Sequence, residues 1–152
     1  MNDQQTILLV DDSESDLLLM RHAFKKGGFK HPLQEVHDGE EAIAYLNGES
    51  LFADRNKFPV PALILLDLNM PMKNGFDVLD WLRSQPPAIK RISTIVLTAS
   101  QRPEDVQRAF DLGANSYLVK PGTFEDLIAM IRCLRDWLHY NHFPPLNEAV
   151  MR

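Results

Sequence analysis

Apolar and polar positions alternate between two rhythms along this chain. Residues 6–10 form a short apolar run that stops at Asp11-Asp12, and residues 13–26 then place Leu17, Met20 and Phe24 at helical spacing. Strand followed by helix is the reading. Gly27-Gly28 ends the helix, residues 32–37 form a weaker second strand, and Asp38-Gly39 turns the chain. A second helix carries Ala42, Ile43 and Leu46 on one face and stops at Asn47-Gly48. The polar segment 49–61, with Pro59 and Pro61, is a longer loop than helix-to-strand connections usually need.

Residues 62–66 are apolar without alternation, as expected of a parallel strand covered on both faces, and Asp67 stands at their carboxyl end. Val78, Leu79 and Leu82 mark a helix over 76–83, and residues 92–97, rich in β-branched side chains, a fourth strand ending at Thr98. Pro103 suits the first turn of a helix to Leu112, with Gly113 as its left-handed cap. A fifth strand over 116–119 ends at Lys120-Pro121. The longest helical pattern runs from Phe124 to about His142, where Phe143, Pro144 and Pro145 break it.

Five strands alternating with five helices predict an α/β fold. Parallel strands need long, right-handed crossovers, so the sheet should be doubly wound, with helices on both faces. Residues 1–145 read as one domain with an extended C-terminal helix, and 146–152 as a short tail. The chain's 152 residues suffice for one core without disulfides. Its 45% hydrophobic and 24% charged residues are ordinary for a globular protein. A net charge of −5 offers no basic field for phosphate backbones, so no nucleic-acid partner is expected. No apolar run is long enough to span a bilayer, and the N-terminus lacks signal-peptide character, so a cytoplasmic location is expected. Cys133, the single cysteine, falls in an apolar helical stretch and reads as a buried thiol.

Open parallel sheets bind ligands at the carboxyl ends of their strands. That rule singles out Asp11, Asp12, Asp67, Thr98 and Lys120. Singly, each has an ordinary explanation as turn former, helix cap or surface charge. Gathered at one sheet edge, three carboxylates need a cation. Hard oxygen donors with no nearby Cys or His at ligand spacing fit Mg²⁺ and not zinc. The Asp67 carboxylate is a competent nucleophile towards a phosphoryl group. Lys120 and Thr98 offer an ammonium and a hydroxyl to its oxygens.

The segments ILLVDDSESD, LILLDLNMPMKNGFDVL, IVLTAS and GANSYLVKP, in this order, resemble the receiver domains of bacterial two-component systems. The resemblance covers nearly the whole chain and implies a flavodoxin-like sheet of order 2-1-3-4-5. It makes Asp67 the phosphoacceptor, Asp12 a direct metal ligand and Asp11 an acidic partner acting largely through water, with the backbone carbonyl of Asn69 completing the Mg²⁺ site. It makes Thr98 and Lys120 the switch hydroxyl and the phosphate-binding lysine, and Tyr117 the switch aromatic, although Tyr117 equally fits a packing role. Pro71 and Gly75 match the turn after the phosphoacceptor, and Lys120-Pro121 matches a bond commonly cis in the family. Ala99 leaves room for phosphoryl access, Asn69 and Ser100 lie where the family tunes phosphoryl lifetime, and Gly122 replaces a larger residue.

The expected function is therefore that of a phosphoacceptor switching protein–protein contacts, not an enzyme with a separate substrate. Its expected donor is a sensor histidine kinase. The long 49–61 loop and the aromatic C-terminus resemble stand-alone regulators paired with phytochrome kinases. Trp137, Tyr140 and Phe143 are the candidate surface of a homodimer. A dehalogenase-type phosphatase would need an acid where Asn69 stands, and a flavodoxin a phosphate loop where Asp11-Asp12 stand. A pseudo-receiver, binding partners without phosphorylation, is the remaining rival, though no acidic, Thr or Lys position is lost.

Overall fold

The structure is a computed structural model and describes residues 5–144. The expected tail, 146–152, lies outside the described residues. Strands β1 (Ile7–Val10), β2 (Leu33–Val36), β3 (Leu63–Leu66), β4 (Ser93–Thr98) and β5 (Ser116–Val119) form one parallel sheet in the order β2-β1-β3-β4-β5. The expected fold class and strand order are both found.

The central strands look uniformly apolar in sequence because both sheet faces are buried, and the period-two alternation reappears as two separate cores. Leu8, Val10, Ile64, Leu66 and Val96 pack with Ala42, Leu46, Val78, Leu79 and Ala109 on one face. These partners belong to helices α2 (Gly39–Asn47), α3 (Gly75–Arg83) and α5 (Pro103–Asp111). Ile7, Leu9, Leu63, Leu65, Ile95 and Leu97 pack on the other face with Leu17, Phe24, Ile131 and Leu138 of α1 (Glu14–Lys26) and α6 (Phe124–Tyr140).

The described residues hold six α-helices, not five: five lie between strands and α6 follows β5. The extra one, α4 (Pro87–Lys90), is a single turn. Its apolar positions are too few for any period to show, but Pro87 supplies the φ of a first turn. The 49–61 loop is likewise ordered, opening with a 3₁₀ turn over Ser50–Ala53. Arg55 donates to the carbonyls of Tyr45 and Leu46 at 2.8 and 2.9 Å, satisfying the last turn of α2. Phe58 meets Tyr45 and Phe52 edge to face, Tyr45 and Phe52 pack tilted against each other, and the Tyr45 hydroxyl donates to the Pro59 carbonyl at 2.8 Å.

Three further expectations fail. Cys133 is exposed, because the buried stripe of α6 runs through Leu127, Ile131, Leu134 and Leu138, and residue 133 lies off it. The last helix stops at Tyr140, short of His142. The Lys120-Pro121 bond is trans, since the described residues contain no cis peptide; trans is the form that X–Pro bonds generally favour.

Candidate functional site at the carboxyl ends of the strands

Hydrogen bonding continues one residue past the strand ends and thereby builds the site. The Asp11 amide donates to the Val36 carbonyl, that of Asp67 to Val10, and that of Lys120 to Thr98, at 3.1, 2.9 and 2.8 Å. Val10 and Leu66 are register partners, so the carboxylates that follow them are neighbours. Asp11 and Asp67 are buried while Asp12 is exposed, and each offers an oxygen within 4.8 Å of the others.

One cation stands among them. The Lys120 ammonium donates to Asp11 Oδ2 at 2.7 Å, to Asp16 Oδ2 at 2.8 Å and to Asp67 Oδ2 at 3.0 Å, which uses all three of its N–H bonds. Burial pulls the Lys120 pKa down. Hydrogen bonds to Asp11 and Asp16 and the charges of Asp67 and Asp11 outweigh that effect, and the pKa ends above the ordinary lysine value. Burial pushes the Asp11 carboxyl up, against the bonds from Lys120 and from the Ser13 amide.

The remaining Asp67 oxygen, Oδ1, accepts from the amide of Leu68 at 2.7 Å and more distantly from that of Asn69 at 3.4 Å. Asn69 is exposed beside it. Backbone from the following turn presses on the same point: the Gly75 amide donates to the Leu68 carbonyl at 2.9 Å, and α3 begins there under a capping box between Asn74 and Asp77. Gly75 is thus the residue that lets α3 approach the Asp67 backbone.

Thr98 is fully buried at the end of β4, and its hydroxyl oxygen faces the Ser100 amide at 3.4 Å. Tyr117 pairs in register with Val96, which puts it on the same sheet face as Thr98. Its ring packs partly buried against that core, and its hydroxyl donates to the Ser100 carbonyl at 2.9 Å. Ala99 is exposed at the mouth, and Gly122 has open space around it.

The fold therefore brings together Asp11, Asp12, Asp67 and Lys120, with Thr98 and Tyr117 on the adjoining strands. Asp16 is the functional candidate that the sequence reading missed. A signal was available: Asp11 and Asp67 continue the alternation of Leu9 and Leu65, whose face is the one that α1 covers, so an acid in the first turn of α1 is a natural third partner. Trp137, Tyr140 and Phe143 lie far along α6 and beyond it. Trp137 and Tyr140 are 45% and 81% exposed. Phe143 folds back against the α1–α6 core and meets Trp137 edge to face.

The three carboxylates suit a hard divalent cation. They supply oxygen only, and Asp11 and Asp67 are too buried to sit side by side comfortably without a positive charge, the role Lys120 fills here. No helix among the described residues is long and apolar enough to cross a membrane.

Comparison with known proteins agrees with this geometry. The family model for the response regulator receiver domain matches residues 7–132. The response regulator Rcp1 of Synechocystis sp. is 38% identical over 138 residues, covering 90% of this chain and 91% of that protein. Two solved structures superpose over 93% of this chain and 99% of theirs. The phosphorylated cyanobacterial phytochrome response regulator RcpA does so with a TM-score of 0.85 at 34% identity. The Mn²⁺-bound form of Rcp1 does so with a TM-score of 0.81 at 36% identity. Sequence motifs, sheet order and family match coincide, and the chain belongs to the response regulator receiver domain family.

Proposed function

We propose that Asp67 accepts a phosphoryl group from the phosphohistidine of a sensor histidine kinase, in a Mg²⁺-dependent reaction, and that the aspartyl phosphate switches the protein's contacts with partners. The observation that carries the reading is the Asp67 carboxylate, 8% exposed, with one oxygen 3.0 Å from the Lys120 ammonium and a second acidic pair beside it. Receiver domains are phosphoacceptors without a separate catalytic activity, so no further substrate is invoked.

Attack by an Asp67 oxygen on phosphorus forms an acyl phosphate while the P–N bond to the donor imidazole breaks and the imidazole leaves. Asp11, Asp12, Asp67 and the Asn69 carbonyl are the residues that would hold Mg²⁺. Bound there, it would offset the repulsion between the carboxylate and the incoming phosphoryl oxygens. Lys120 exchanges its bond to Asp67 for one to a phosphoryl oxygen and keeps a positive charge where negative charge accumulates. Thr98 offers its hydroxyl to another oxygen. Tyr117, on the same sheet face and already bonded to the loop at Ser100, transmits that movement to the surface of β5.

The likeness to RcpA and Rcp1 favours a phytochrome-type kinase as donor, and a cytoplasmic location follows from such a partner. Trp137 and Tyr140, exposed aromatics at the end of α6, support a homodimer through that face, with Phe143 bracing Trp137 from behind. The test of the chemistry is intact mass after incubation with acetyl phosphate, with and without Mg²⁺. One Mg²⁺-dependent adduct in the wild type, absent in Asp67→Asn, is expected. Its absence on folded, Mg²⁺-bound protein would favour a phosphorylation-independent pseudo-receiver instead.

A further inference from the structure

The Lys120 ammonium has three carboxylate partners, and they are not equivalent. Asp11 and Asp67 belong to the cluster whose oxygens lie within 4.8 Å of one another and could take a divalent cation; Asp16 does not. Asp16 comes from α1, two residues after Glu14 opens the helix, and reaches Lys120 Nζ at 2.8 Å from the solvent side. Side-chain exposures of 17% for Lys120 and 39% for Asp16 make this a half-screened pair, weaker than a buried one but well placed.

An ammonium held only by carboxylates that a metal also needs would compete with that metal. Each carboxylate turned towards a dication leaves Lys120 with one partner fewer and a new positive neighbour. We propose that Asp16 is a positioning residue for Lys120, giving the ammonium a counter-charge outside the metal cluster so that it stays at the phosphoryl site when Asp11 and Asp67 are engaged by Mg²⁺. This rests on the phosphoacceptor reading above.

The ordinary alternative is that Asp16 merely serves α1. It lies in the first turn, its amide donates to the Ser13 hydroxyl at 3.2 Å, and an acid there favours the helix dipole. A helix role changes folding stability but is indifferent to whether residue 120 is charged. Dependence on Lys120 therefore separates the two.

The experiment measures Mg²⁺ binding by titration calorimetry on the full chain, together with the rate of adduct formation from acetyl phosphate. It compares the wild type, Asp16→Asn, Glu14→Gln, Lys120→Met and the double variant Asp16→Asn/Lys120→Met. Glu14 is a neighbouring exposed acid that pairs with Arg21 and not with Lys120, so its substitution reports the loss of one charge alone. Asp16→Asn should weaken Mg²⁺ binding about three- to tenfold, the range for a half-exposed, charge-assisted pair, and slow the adduct by a similar factor. Glu14→Gln should stay within about twofold of wild type, and in the Lys120→Met background the Asp16 effect should shrink below about twofold.

Equal weakening by Asp16→Asn with and without Lys120, equal weakening by Glu14→Gln, or no weakening at all would each overturn the role. If Lys120→Met does not fold, the Asp16 and Glu14 comparison decides alone. A wild type that binds no Mg²⁺ would overturn both this proposal and the functional reading beneath it, whereas normal wild-type binding with an unaffected Asp16→Asn would remove only the proposal.

Discussion

Gly75→Ala is the smallest change that should disturb the proposed phosphoacceptor without touching it. A Cβ built on Gly75 would lie 2.4 Å from the Asp67 carbonyl oxygen, 2.8 Å from Leu68 Cα and 3.1 Å from the Asp67 carbonyl carbon. All three atoms are backbone, so no side chain can swing away. The start of α3 and the end of β3 must part by roughly half an ångström or more, straining the 2.9 Å bond from the Gly75 amide to the Leu68 carbonyl. Overpacking of this kind costs about 1–3 kcal/mol, and a weakened buried hydrogen bond adds roughly 0.5–1.5. Alanine's smaller unfolded-state entropy returns about 0.4–1. The net loss should be about 2–3 kcal/mol, measurable as a lowered urea midpoint at unchanged slope. Asp67 should move relative to Lys120 as well, slowing acetyl-phosphate labelling by about tenfold, since such misplacements are costly to transfer. Gly122→Ala is the matched control: nothing lies within 4 Å of its added methyl, so stability should hold or rise slightly. A Gly75→Ala protein within about 0.5 kcal/mol of wild type, labelling normally, would refute the argument that close approach of α3 sets the Asp67 backbone.

Further outcomes follow from other parts of the molecule. Burial pushes the Tyr45 hydroxyl up to about 12, with Arg55 opposing. Unfolded tyrosine ionises near pH 10 while the native ring stays protonated, so this contribution is intact below pH 10 and is lost as pH rises towards 12. Chemical denaturation across that window should show an extra loss of about 2–3 kcal/mol that Tyr45→Phe abolishes, although that variant starts about 1 kcal/mol lower for want of the Pro59 bond. Met72 holds a left-handed φ of 64° while its side chain is 72% exposed. Met72→Gly should therefore raise thermal stability by about 0.5–1 kcal/mol, the left-handed penalty less glycine's added chain entropy. For the proposed dimer, Trp137→Ala with Tyr140→Ala should shift sedimentation from dimer to monomer while the fold is retained. Truncation before Asp136 is a poorer test, because it also removes Leu138, which is 1% exposed and part of the core.

The strand ends were legible because a parallel sheet with one-residue regularity converts sequence into position. Val10, Leu66 and Val96 share one register, so the residues following β1 and β3 become neighbours whatever their loops do. Lys120 follows by the same rule on β5, continued by its amide bond to Thr98. What stayed hidden depends on rotation and length. The azimuth of Cys133 and of Asp16 about their helices decides burial and partnership, and an apolar stretch such as that around residue 133 does not reveal azimuth until the buried stripe is known. The four residues of α4 make barely one helical period, too few for a repeat to show, and the order of the 49–61 loop comes from one arginine reaching back to α2, a contact that no local pattern encodes.

Under the proposed function, the same geometry divides the response to a phosphoryl group between the two sheet faces. The protein's most polar residues sit where two cores, one on each sheet face, come to an end, and Lys120 is bonded to both a strand-end pair and a helix. On the opposite face, Tyr117 is bonded to the Ser100 carbonyl, while the Ser100 hydroxyl meets Asp105 of α5 at 2.5 Å. A phosphoryl group at Asp67 would draw on Lys120 from one side and Thr98 from the other. The first request is met within the charged cluster. Under the proposed function the second would pass through Ser100 to β5 and α5, where Val119 and Phe110 are exposed. If that division is right, Tyr117→Phe should leave acetyl-phosphate labelling within about twofold of wild type while changing how a partner discriminates the labelled form, by about 1 kcal/mol for the lost hydrogen bond. Labelling that falls tenfold in Tyr117→Phe would place the tyrosine in the chemistry instead of the readout.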